Sequence, residues 1–83
     1  MEKVLVEVYV PAIGETYDVF MPLKSQMYEV LELLKKAVSE HSAGRFVTTN
    51  ETAVCYRENG GIINVNMTVY ELGIRNGSKL MLI

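Results

Sequence analysis

The sequence predicts an α+β domain: a mixed five-stranded sheet, one long helix across it and a short helical turn before the last strand. Three observations predict it. Apolar residues alternate with their neighbours through "KVLVEVYV" and "TYDVFM", a period of two. From Ser25 to His41 they recur at three and four instead. In the C-terminal half, Asn59-Gly60-Gly61 and Asn76-Gly77 punctuate short runs of β-forming residues as reversals do.

The first strand places Val4, Val6, Val8 and Val10 on one face and Leu5, Glu7 and Tyr9 on the other. Pro11-Ala12-Ile13-Gly14 breaks it, and so short a connection makes an antiparallel hairpin with the second strand. There Tyr17, Val19 and Met21 alternate with Thr16, Asp18 and Phe20, and Pro22 closes the strand because it has no N–H for a ladder. Ser25 is the expected N-cap of a helix from about residue 26 to 41. Its stripe is Met27, Val30, Leu31, Leu34, Val38 and His41, with Glu32 and Lys36 forming an exposed i, i+4 pair. "TAVCYRE" reads as a third strand and "IINV" as a fourth. Thr68 and Glu71 have capping-box spacing, so a helical turn is expected from Val69, ended by Gly73 in the left-handed conformation. "SKLMLI" is the fifth strand.

Composition narrows the function. At 83 residues the chain is expected to be one domain, 1–83. With 49% hydrophobic and 22% charged residues it reads as globular. No apolar run approaches the roughly 18–20 residues needed to cross a bilayer, so direct membrane insertion is not expected. The N-terminus has no signal-peptide pattern, which places the protein in the cytoplasm and leaves the sequons at Asn50 and Asn66 without meaning. A net charge of −2 with scattered basic residues argues against nucleic acid. The lone Cys55 excludes an internal disulfide, and with His41 alone beside it no metal site or cofactor is expected. Cys55 and His41 fall at opposite ends of the predicted fold, Glu29, Glu32 and Glu40 lie on a solvated helix face, and no catalytic residue is identified.

The element order resembles the β-grasp fold of ubiquitin. "TVYELGI" looks like the Thr-Leu-x-Asp-turn-Ile segment of ubiquitin-like proteins, and "NGSKLMLI" follows at the same spacing. Within that superfamily the chain resembles the YukD/EsaB family, small ubiquitin-like proteins of type VII (WXG100/ESX) secretion loci in Gram-positive bacteria. Members often carry a G-I-x-N-G-D-x-L ending; here it is Gly73-Ile74-Arg75-Asn76-Gly77-Ser78-Lys79-Leu80, with Ser78 in place of the acidic residue. The resemblance implies a non-catalytic accessory or regulatory module whose protein partner is a membrane or cytoplasmic component of the secretion machine, or a second copy of the chain. The alternative is a protein modifier or sulfur carrier activated at its C-terminus. Such carriers use a flexible Gly-Gly tail, whereas the last residue here is Ile83 within a strand and the one glycine pair, Gly60-Gly61, sits in a hairpin.

In the β-grasp order the second, first, fifth and third strands lie side by side. The face turned away from the helix then holds Phe20, Leu5, Glu7, Tyr9, Met81, Ile83 and Cys55. The apolar members, Leu5, Tyr9, Phe20, Cys55, Met81 and Ile83, form the candidate interaction site, since an exposed apolar patch marks a docking surface. A one-residue slip of the second strand would bury Phe20 instead.

Overall fold

A computed structural model describes residues 2–83. The elements are β1 (Lys3–Val10), β2 (Glu15–Pro22), α1 (Met27–His41), β3 (Val54–Tyr56) and β4 (Lys79–Leu82). The sheet order is β2-β1-β4-β3. β1 and β2 are an antiparallel hairpin running from Lys3 opposite Pro22 to Val10 opposite Glu15. β4 runs parallel to β1, with Val8 opposite Leu80, and antiparallel to β3, with Cys55 opposite Met81. The pairing of β1 with β4 is extended by Asn76, whose side-chain oxygen accepts the Leu5 N–H at 2.8 Å, and by the Gly77 N–H donating to the Leu5 carbonyl.

The alternation in β1 sends its four valines inward, where they meet Met27, Val30, Leu34 and Val38 of α1 together with Leu80 and Leu82. Phe46, Ile63, Val69 and Ile74 close the core from the loops. Several features depart from the sequence expectation. Among the described residues the sheet has four strands rather than five, because "IINV" contributes only an isolated bridge, Ile62 to Cys55, and the bond from the Ile63 N–H to the Val54 carbonyl. Asn64 bends the chain there: its side-chain oxygen accepts the Asn66 N–H, which offers the backbone a turn in place of a ladder.

The turn at 69–73 is likewise not a helix. Its capping box forms, with the Glu71 N–H donating to Thr68 Oγ1 and the Thr68 N–H to Glu71 Oε1. A single i to i−4 bond, Leu72 to Thr68, follows before Gly73 (φ 73°) ends it. The Ile74 N–H bonds to Val69 and the Gly73 N–H to Tyr70, so cap and closing motif abut with no helical turn between them.

The helix begins one residue later than Ser25 predicts, with Gln26 as N-cap. Gln26 is extended, bridges Thr68, and donates its N–H to Glu29 Oε1. The next two N–H groups, of Met27 and Tyr28, donate to the carbonyls of Met67 and Val65, so a loop caps the helix from outside. Glu32 pairs with Lys35 (3.2 Å) rather than Lys36. His41 is exposed, with its ring edge-on to Tyr17 at 5.4 Å.

Candidate functional site

Register fixes which residues share the sheet face opposite α1. Leu5 lies opposite Phe20, Glu7 opposite Asp18, and Tyr9 opposite Thr16. Across the sheet, Glu7 lies opposite Lys79, Tyr9 opposite Met81, and Met81 opposite Cys55. Arg57 stands beyond Lys79, donating its N–H to the Lys79 carbonyl. Three rows therefore cross this face. The first is Phe20 and Leu5. The second is Asp18, Glu7, Lys79 and Arg57. The third is Thr16, Tyr9, Met81 and Cys55.

The residues expected to form one apolar patch are thus divided by a charged row. Phe20 (61% exposed) and Leu5 (38%) sit at one end of the face, and Ile83 (50%) lies past the opposite end. Tyr9 and Met81 are only partly exposed. Arg57 is the divider: its guanidinium lies 4.6 Å from the centroid of the Tyr9 ring and reaches Glu7 Oε2 at 3.2 Å. The Glu7–Arg57 pair is partly solvated, so it contributes on the order of 0.2–1 kcal/mol and acts chiefly to fix the guanidinium in place. At the other end the Lys3 ammonium lies 5.1 Å from the Phe20 ring centroid.

Cys55 does not belong to the accessible face. It has no exposed surface, because this small side chain stands between Met81 on one neighbouring segment and Ile62 on the other. Burial pushes its thiol above the ordinary value. That favours the protonated, unreactive form. Among the described residues, no group of three or more His, Cys, Asp or Glu could hold a metal ion. No helix among them is long and apolar enough to cross a membrane.

Sequence reasoning missed the contribution of Arg57 and Lys79 to this face. Both are visible as strand-end cations, but only the register of β3 on β4 places them beside Glu7.

A long helix lying on a mixed sheet of order β2-β1-β4-β3, with parallel central strands, is the architecture of a ubiquitin-like β-grasp protein. No family model and no curated protein matches the sequence. Solved structures do match the fold. The ubiquitin-like domain of the Mycobacterium tuberculosis type VII secretion system protein ECCD1 superposes with a TM-score of 0.79 at 16% identity, covering 100% of this chain and 99% of that one. A chain of the MycP5-free ESX-5 inner membrane complex gives 0.71 at 16% identity, covering 100% of this chain and 21% of that one. The ubiquitin-like domain of yeast Ddi1 gives 0.75 at 15% identity, covering 99% of this chain and 88% of that one.

Proposed function

We propose that residues 1–83 act as a single, non-catalytic ubiquitin-like binding module, a cytoplasmic accessory component of a type VII secretion system of the YukD/EsaB kind. The observation that carries this reading is the sheet face opposite α1, where Leu5, Phe20 and Ile83 remain exposed around a fixed Glu7–Arg57 pair. Apolar anchors beside an ordered polar group suit a surface that docks another protein. The likeness in fold to the ECCD1 domain and to a chain of an ESX-5 membrane complex supports a partner within that machinery.

The test is genetic and biochemical together. In a bacterium that carries this gene and exports WXG100 proteins, deletion is expected to abolish their appearance in the medium, and the wild-type gene to restore it. Phe20→Asp combined with Ile83→Asp replaces two exposed apolar side chains. This variant is expected to keep its thermal midpoint and fail to restore export. Restoration by the folded variant would reject the face, and export unaffected by deletion would reject the secretion role. An intact-mass measurement on protein from the same cells, expected to show no conjugate, separates this reading from a modifier or sulfur carrier.

A further inference from the structure

A second feature adjoins the sheet face and shares Arg57 and Lys79 with its charged row. The end of β3, the loop 72–78 and the start of β4 enclose an open cavity of about 790 Å³. We propose that this cavity binds an acidic peptide segment of a protein partner, one in which carboxylates flank an apolar residue.

The charge distribution points to that occupant. Arg57, Arg75 and Lys79 line the cavity, and Glu58 is the one carboxylate among its lining residues. Three of the chain's eight lysines and arginines thus surround one cavity in a molecule of net charge −2. Lys35 and Arg45 are drawn into ion pairs elsewhere, with Glu32 and Glu15, whereas Arg75 and Lys79 have no carboxylate within 4 Å among the described residues. Arg57 is held by Glu7 and by the Tyr9 ring, so its fork is already oriented before a ligand arrives. An arginine ordered in advance loses less side-chain entropy when it binds a carboxylate.

The frame beneath these cations is fixed too. The Arg75 N–H donates to Ser78 Oγ at 3.0 Å and the Ser78 N–H donates back to the Arg75 carbonyl at 3.0 Å. Gly77 takes φ 85° within that turn. The lining also includes Tyr56 and Leu72, both half-buried, which offer apolar surface beside the cations. A bare polyanion would leave this apolar surface unused. A short acidic segment with one apolar side chain satisfies both the cations and the apolar lining.

This inference shares Arg57 and Lys79 with the charged row of the sheet face but does not use the exposed apolar residues Leu5, Phe20 and Ile83, and it stands whether or not the secretion role holds. The probe is a synthetic peptide of alternating glutamate and leucine, titrated into the isotopically labelled protein while backbone amide shifts are followed. Shifts are expected at Arg57, Arg75, Ser78 and Lys79. Affinity is expected to fall as salt rises from low to physiological levels, and Arg75→Glu with Lys79→Glu is expected to weaken it about tenfold or more. Glu58→Gln, which removes the one carboxylate among the lining residues, is expected to tighten it by about two- to threefold. If the double reversal does not fold, Arg75→Gln with Lys79→Gln is the replacement and is expected to weaken binding in the same direction. Shifts confined to α1 or to Leu5 and Phe20, unchanged affinity in a folded charge variant, or tighter binding of a single-stranded oligonucleotide of equal charge would each overturn the proposal.

Discussion

Ala43 holds φ 55°, the left-handed conformation that β-carbon crowding makes unfavourable for every residue except glycine. It sits where α1 ends: the Ala43 N–H donates to Glu40, and the Gly44 N–H reaches back to Ser39 at 2.9 Å. That pattern puts Ala43 in the place glycine normally occupies. Ala43→Gly is therefore expected to stabilise the protein by about 0.5–1 kcal/mol, the relief of left-handed strain less the added freedom of the unfolded chain. Thermal unfolding checks it, with a midpoint raised by roughly 2–6 °C. The two helix-ending positions differ in legibility. Gly73 was readable because a capping box precedes a glycine, whereas alanine at a left-handed site leaves no mark in sequence. Cys55 makes a second case. Its alternation on β3 was readable, and its complete burial was not, since that depends on Ile62 and Met81 arriving from distant segments. With its thiol raised by burial, Cys55 is expected to resist a thiol-alkylating reagent at pH 8 in the native protein and to react promptly once denaturant is added. The sign for stability follows. Above about pH 9, the ordinary value from which the thiol is raised, the unfolded chain releases this proton first, so the contribution of Cys55 to stability declines as pH rises through that range.

At the scale of elements, α1 is fastened at both its face and its start. Leu34 lies at the middle of the buried stripe and is 2% exposed. Leu34→Ala is expected to cost about 2–5 kcal/mol through lost burial and the cavity left behind. For a domain of this size that is a large share of the whole stability, so the denaturant midpoint should fall steeply with the slope unchanged. An unaltered midpoint would place α1 on some other surface. The hairpin, the helix and the last strand were legible because each repeats one period over several residues. "IINV" failed because a turn at Asn64 interrupts it. Ser25 failed as the cap because the donors of the first helical turn are met by carbonyls of the loop at 65–67, a partner that no local signal reveals.

At the scale of the whole molecule, the strand order was legible through the resemblance to the β-grasp fold, and the character of the outer face was not. The apolar alternation of β1 and β4 told which residues turn outward. The row from Asp18 through Glu7 and Lys79 to Arg57 exists only after four strands are set side by side, so each charge looked isolated along the chain. The strand order has one more consequence, for assembly in time. β1 lies inside the sheet, yet its second neighbour, β4, is made after the other three strands, and Leu5 and Asn76, joined by a hydrogen bond, are 71 positions apart. During synthesis the hairpin and helix emerge first, with one long edge of β1 still without a neighbour. Until residues 79–82 are free of the ribosome, that edge and the valines beside it are open to any other strand they meet. The nascent chain therefore passes through an aggregation-prone state until β4 emerges, and the insertion of four residues, Lys79 to Leu82, converts an adhesive half-sheet into a closed core.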